Sequence, residues 1–211
     1  MEIITIANMG DFATNAYIVK SGNTAVLIDA PCDAERIIGK LGDLKLEAVL
    51  LTHGHVDHIS AAGELKEKTG CKVYISKEDE PMLRSSKLCR ADYFSVPFYP
   101  CEGAECFSDG DSLTFGDMTF KVVSTKGHTS GSVSFIIDDV IFSGDTLFAG
   151  SIGRIDIGGS SFNDIISSIS KLYEIANGRN MLVLSGHGPK TDLYSELLEN
   201  PYLGALREGL N

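Results

Sequence analysis

An α/β fold is predicted for this chain of 211 residues from two observations. Short apolar runs rich in Val, Ile and Leu alternate with stretches of helical period. The chain also divides into two β-rich halves that each run from a strand into a histidine-bearing turn, Leu51-Thr52-His53 in the first and Leu184-Ser185-Gly186-His187 in the second. No Pro/Gly linker separates the halves, so residues 1–211 read as one domain, long enough to bury a substantial core.

The elements follow in order. Residues 2–6 make a first strand, and Asn8 to Asn15 turn the chain into a second over Ala16-Tyr17-Ile18-Val19-Lys20. Ser21-Gly22-Asn23 is a hairpin signal, with Thr24 to Asp29 as partner strand. Asp33 caps a short helix through Ile37, Ile38 and Leu41, ended by Gly42. Leu46 to Leu51 has the length and composition of a buried strand, and Ile59 to Lys68 reads as a helix closed by Gly70. Cys71 to Ile75 is another strand, after which Lys77 to Glu80 opens a short helix holding Met82 and Leu83. Residues 85–108 are the least regular stretch, with the aromatic residues Tyr93, Phe94, Phe98 and Tyr99 among others, two prolines and three cysteines. Such a loop is either a lid beside a site or a segment packing its own small core. Strands then follow at Ser112 to Phe115, Met118 to Val123, Ser132 to Ile137 and Val140 to Ser143, separated by Gly or Asp turns. Phe162 to Ile175 is a helix with Ile165, Ile166, Ile169, Leu172 and Tyr173 on one face. Met181 to Leu184 is the last strand, and a short tail helix around Tyr194 to Leu198 ends the fold.

Composition narrows the function. Hydrophobic residues at 43% and charged residues at 22% are ordinary for a globular protein. A net charge of −11 without any Lys/Arg cluster repels a phosphate backbone, so no nucleic-acid partner is expected. The start, Met1-Glu2-Ile3-Ile4-Thr5-Ile6, lacks a basic region, and Asp11 interrupts any apolar run. With no run long enough for a membrane span, a cytoplasmic protein without a membrane partner is expected. Five cysteines at irregular spacing, without Cys-x-x-Cys, fit reduced thiols. Cys89, Cys101 and Cys106 nevertheless share one loop region, where pairing or metal binding stays open.

The chemistry gathers at Thr52-His53-Gly54-His55-Val56-Asp57-His58, a strand-to-helix turn with three imidazoles and a carboxylate. Gly54 is expected to let the backbone bend so that His53 and His55 aim at one point. Asp57 and His58 open the following helix and aim at a second point nearby. A solvated His-rich loop is the alternative. The remaining two of the five histidines weigh against it, since His128 and His187 also follow apolar segments in Gly-flanked turns. The arrangement points to a metal site with imidazole and carboxylate ligands.

His-x-His-x-Asp-His, a separate His, an Asp after a strand and a final Gly-His-Gly together resemble the metallo-β-lactamase superfamily of metal hydrolases. The nearest likeness is to its small glyoxalase-II-like (hydroxyacylglutathione hydrolase-like) branch, from Thr14-Asn15-Ala16-Tyr17 to Asn200-Pro201-Tyr202-Leu203. The resemblance implies a four-layer αββα sandwich with metals at the edge between two sheets. Carried over by position, His53, His55 and His128 would hold one metal, and Asp57, His58 and His187 a second. Asp145, in Ser143-Gly144-Asp145-Thr146, would bridge them. Asp29 is either a supporting residue near the centre or an ordinary strand-end Asp. The implied cofactors are two divalent ions, zinc by default for hydrolysis, with iron or manganese suited to the same donors.

The implied reaction is two-metal hydrolysis. A shared water has its pKa lowered from 15.7 toward about 7 and attacks a carbonyl carbon, with Asp57 orienting it or accepting its proton. A small acyl thioester of the S-lactoylglutathione type suits this centre, because a thiol of pKa about 8.5 leaves without a strong general acid. With all five histidines given metal roles, none remains for a Ser or Cys triad. Arg154 stands where the glutathione-using enzymes carry a substrate-contacting Lys, but it could equally pair with Asp156, which replaces their Tyr. The chain also ends at Asn211, short of the C-terminal helical region whose basic residues hold the glutathione glycine. The rivals are a persulfide dioxygenase with mononuclear iron, a lactonase or phosphodiesterase on the same fold, and a metal-binding regulatory module without turnover.

Overall fold

The computed structural model describes residues 1–156 and 160–209. Glu2–Met9 (β1), Thr14–Ser21 (β2), Thr24–Ile28 (β3), Lys45–Leu50 (β4), Lys72–Ser76 (β5) and Glu105–Phe107 (β6) form one sheet in sequence order. β1, β2 and β3 pair antiparallel, and β3 to β6 run parallel. The second half supplies Ser112–Phe115 (β7), Met118–Ser124 (β8), Val133–Ile137 (β9) and Val140–Gly144 (β10). Leu147–Phe148 (β11) and Ser151–Ile152 (β12) pair only with each other, and Leu182–Ser185 (β13) and Thr191–Asp192 (β14) complete the strands described. The second sheet has the order β14-β13-β10-β9-β8-β7, with β10 and β13 parallel.

The four expected layers follow from which strand faces are apolar. On β3 the side chains of Val26 and Ile28 join Tyr17, Ala48 and Leu50 of the same sheet and Phe120, Phe135 and Phe142 of the other, forming the core between the sheets. The alternate residues Ala25 and Leu27 face the other way, into a core shared with Ala34–Leu41 (α1) and Ala62–Thr69 (α3). Val123, Ile141 and Val183 face outward from the second sheet onto Ile165, Ile169 and Leu172 of Phe162–Ala176 (α5). Central strands buried on both faces must be apolar throughout, which is why the sequence shows continuous runs there instead of alternation.

Several expectations need correction. The helix read from Ile59 to Lys68 is broken into Val56–Ile59 (α2) and α3. The cause is remote: the Ala61 N–H donates to Ala30 O (2.9 Å), and Ala30 N–H donates to His58 O (2.8 Å), so the β3–α1 loop takes over helical hydrogen bonds. The short helix after Lys77 is a 3-10 turn over Glu80–Arg84. Residues 85–108 contain Ala91–Phe94 (α4) and the edge strand β6. That stretch does pack apolar groups, with Cys89, Ala91 and Cys101 buried in the first core. All five cysteines are free thiols. The tail continues past Leu193–Glu199 (α6) into a 3-10 turn at Pro201–Leu203 and a helix at Gly204–Gly209 (α7). Among the described residues no helix is long and apolar enough to cross a membrane.

Candidate metal centre

The two sheets meet at one edge, and the seven predicted ligands lie there. His53 and His55 sit on the turn leaving β4, Asp57 and His58 in α2, His128 on the β8–β9 turn, Asp145 after β10 and His187 after β13. The edge is tied by backbone bonds between sheets: Val133 N–H donates to Thr52 O (2.9 Å) and Asn15 N–H to Gly186 O (2.7 Å). Glycines allow the close approach. A Cβ on Gly186 would lie 2.3 Å from Asp145 Oδ1 and 2.5 Å from His58 Cε1, and one on Gly153 would lie 1.8 Å from Asp145 O. Gly54 acts differently from expectation. Its φ is not positive, and its need is space, since a Cβ there would lie 2.6 Å from Met82 Sδ.

Among the described residues three groups of side chains could each hold a cation: His53, His55 and His128; His53, His58 and Asp145; Asp57, His58 and His187. In each group the candidate ligand atoms lie within 4.8 Å of one another. His55 Nδ1 and His128 Nε2 face each other at 2.8 Å. His187 Nε2 lies 3.3 Å from Asp57 Oδ2 and 3.4 Å from Asp145 Oδ2, while Asp145 Oδ1 lies 3.3 Å from His58 Nε2. Asp145 therefore stands between the two histidine sets. The described side chains hold two buried polar atoms without a hydrogen-bond partner, His53 Nε2 and Asp145 Oδ1, and both face this point. A buried donor or acceptor left unpaired costs about 1–3 kcal/mol, and a divalent cation is a partner suited to both. The donor set fits the implied metals.

The rings of His58, His128 and His187 have their far side held by an oxygen partner, as suits metal-binding imidazoles. His58 Nδ1–H donates to Asp29 Oδ2 (2.8 Å), His128 Nδ1–H to Arg154 O (3.0 Å) and His187 Nδ1–H to Phe12 O (3.0 Å). Asp29 is thus a supporting residue; its carboxylate also accepts from Thr52 N–H (2.8 Å) and Thr52 Oγ1 (2.9 Å). Thr14 Oγ1 donates to Asp57 Oδ2 (3.1 Å). Asp79 was missed in the sequence. Buried in the turn after β5, it accepts from Gly54 N–H (2.9 Å), Gly131 N–H (3.1 Å) and Thr129 Oγ1 (2.7 Å), so it clamps the His53–His55 turn to the His128 turn. Its surroundings in sequence, Lys-Glu-Asp-Glu, look like a charged helix start and carry no sign of this.

Protons hold the charge balance of the metal-free centre. Burial keeps His53 well below the usual imidazole range, and burial with His128 pushes His55 down to about 3. Burial also opposes the charged form of His58, but Asp145, Asp57 and Asp29 outweigh it and hold that ring well above the usual range. At His187 burial is likewise overcome, here by hydrogen bonds to Asp145 and Asp57, which raise it to about 9. Burial works to raise the carboxyls of Asp57 and Asp145, yet His58 and His187 hold both below the usual range. The centre is therefore a pair of ionised carboxylates that recruits positive charge.

A cavity of about 240 Å³ opens over these groups, lined by Phe12, Phe94 and Phe148 with Arg154. The exposed Arg154 guanidinium is paired with Asp156 through Nε (2.9 Å) and Nη2 (2.8 Å). Arg154 thus makes the pair with Asp156 that one sequence reading expects, and it also lines the cavity.

The metallo-beta-lactamase superfamily model matches residues 9–187. Hydroxyacylglutathione hydrolase GloC of Haemophilus influenzae is 35% identical over 190 residues, covering 86% of this chain and 88% of GloC. Among solved structures, the BLEG-1 B3 metallo-beta-lactamase superposes with a TM-score of 0.86 at 33% identity, over 96% of this chain and 100% of that one. TTHA1623 in a di-iron-bound form gives 0.85 at 31% identity, over 95% and 100%.

Proposed function

Because the chain belongs to the metallo-beta-lactamase superfamily, we propose that it is a binuclear metal-dependent hydrolase of small acyl thioesters. His53, His55 and His128 would hold one divalent ion and Asp57, His58 and His187 a second, with Asp145 placed between the two sets. The observation that carries this reading is the convergence of these side chains on the unpartnered His53 Nε2 and Asp145 Oδ1. Two divalent ions there supply a water of lowered pKa and a Lewis acid for the carbonyl oxygen.

The chain's own groups do the rest. Asp57 Oδ2, with Thr14 Oγ1 donating to it at 3.1 Å, orients the attacking water and accepts its proton. Phe12, Phe94 and Phe148 wall the site and limit water around the reacting carbonyl. Arg154 meets the carrier end of the substrate. Its pair with Asp156 is exposed and screened, so a substrate carboxylate can exchange for Asp156. A thiol leaving group with pKa about 8.5 needs no strong acid, which suits a site whose five histidines are all turned to the metals. The name of GloC, a relative at 35% identity, supports a hydroxyacyl thioester of glutathione as the first substrate to try. Zinc is the metal expected for hydrolysis. The di-iron form of TTHA1623 supports iron as an alternative metal for a two-ion centre, whereas oxygen uptake on a persulfide would be the signature of the other reading, a dioxygenase with mononuclear iron.

The test is the rate of S-lactoylglutathione hydrolysis by zinc-loaded protein beside Asp57→Ala. Efficient turnover that falls at least about a hundredfold in the variant is expected, the scale of a lost general base. Well-metallated protein that leaves S-lactoylglutathione and other thioesters intact would sink the thioester reading and turn the search to lactones, phosphodiesters and persulfides.

A further inference from the structure

A second cavity, of about 440 Å³, adjoins the metal centre. It shares Phe12 and Asp57 with the smaller one, so the two cavities lie on either side of these two side chains. The dividing wall is fixed from the metal side: Phe12 O accepts from His187 Nδ1–H (3.0 Å), and the Phe12 ring packs edge-on against Phe94 at 4.9 Å. Beyond the wall the surface is apolar, formed by Met9, Pro31, Cys32, Val96 and Tyr99. Gly10 packs directly against this lining, since a Cβ there would lie 2.7 Å from Cys32 Sγ.

The charge of the cleft is one-sided. Asp11, Asp33 and Glu64 line it, and none of its lining residues is Lys, Arg or His. Two of these acids already have partners, Asp33 in the cap of α1 (2.9 Å from Arg36 N) and Glu64 with Lys68 (3.1 Å). They remain negative groups around an apolar floor, and they repel an anionic carrier. The cavity's cation, Arg154, lines the smaller space and not this one. The volume is also too large for a lactoyl group alone, given that a dry cavity of about 150 Å³ already accepts benzene.

We propose that this cleft receives the acyl chain of the substrate, an uncharged aliphatic chain of medium length, while the thiol carrier lies on the Arg154 side. The inference rests on the thioester reading above, and it assigns that reading's substrate class. A fully buried methylene is worth about fourfold in affinity, equivalent to about 0.8 kcal/mol.

The test uses zinc-loaded protein and thioesters of one neutral thiol, N-acetylcysteamine, with acetyl, butanoyl, hexanoyl and adipoyl groups. Matching S-alkyl thioethers, which cannot be hydrolysed, are titrated by calorimetry. The expected result is a kcat/KM that rises about tenfold or more from acetyl to hexanoyl, falls again for adipoyl, whose chain ends in a carboxylate, and parallels thioether affinity. Val96→Phe, which fills the cleft, should compress the hexanoyl-to-acetyl ratio toward one. Tyr99→Ala, at an exposed position, should reduce it without disturbing the core. Turnover that is flat with chain length, or a ratio unmoved by both variants, overturns the cleft assignment and leaves the thioester reading standing. Thioether binding that tightens with length while no thioester is hydrolysed has the opposite meaning: the chain site stands and the thioester reading falls. Neither turnover nor length-dependent binding overturns both.

Discussion

At the scale of single residues, the most informative side chain is one that touches no metal. Asp79 accepts three hydrogen bonds, two from backbone N–H groups of the turns that carry His53, His55 and His128. Burial raises its carboxyl, and the donors from Thr129, Gly54 and Gly131 pull it back, so its position is set by how completely those donors are satisfied. Asp79→Asn replaces an acceptor oxygen by an NH₂ that must face an N–H. Each donor left unpaired costs about 1–3 kcal/mol, and loosening the support of metal-binding imidazoles costs about 10–100-fold in affinity. The variant should therefore unfold at lower denaturant and bind zinc more weakly by that factor in a competitive titration with a chelator. Unchanged zinc affinity in a destabilised variant would reduce Asp79 to a purely structural tie.

At the scale of elements, the site is made by strands that end at one edge and by glycines that let the turns after them interlock. Gly186 follows β13, and its Cβ would overlap Asp145 Oδ1 and His58 Cε1. Gly186→Ala should leave the sheets folded by circular dichroism but displace the ligands enough to abolish binding of the second metal, read as metal content per chain. The same view explains what was legible in the sequence. The candidate ligands of the His53–His58 turn were, because the chain has only five histidines and three of them gather there with Asp57, whereas Asp145, one of sixteen aspartates, was marked out by the family resemblance. The strands buried on both faces were, because both faces must be apolar. The break between α2 and α3 was not, because it is made by the backbone of Ala30, remote in sequence and without a side-chain signal. Nor was β6, whose three residues read Glu-Cys-Phe, too short and too mixed to show a period. Gly54 was read correctly as necessary but for the wrong reason, since the contact with Met82 appears only in the folded chain.

At the scale of the whole molecule, the centre joins two sheets, so its charge state enters the stability of the entire sandwich. In the metal-free protein His187 is raised to about 9 from the ordinary 6.5, so its contribution is fully present below 6.5 and is lost as pH rises through 9. His55 is pushed down to about 3, so the unfolded chain binds its proton first; that contribution is present above 6.5 and is lost as pH falls toward 3. These two groups together place the stability maximum of the metal-free protein near pH 6.5, with a decline on both sides. Zinc needs neutral imidazoles, so binding at pH 7.5 must expel the protons that Asp145 and Asp57 hold on His58 and His187. Calorimetry in buffers of different ionisation enthalpy should show proton release on zinc binding, with affinity rising by about tenfold per pH unit for each proton released. The melting temperature of the loaded protein should exceed that of the metal-free form, by the equivalent of about 2.7 kcal/mol at zinc a hundredfold above Kd. It should also stay level between pH 6.5 and 9, where the metal-free form declines, because the cation has taken the place of those protons. Parallel pH profiles for the two forms, with no protons released, would mean that the ion binds elsewhere and that the carboxylate–imidazole cluster is held together by protons alone.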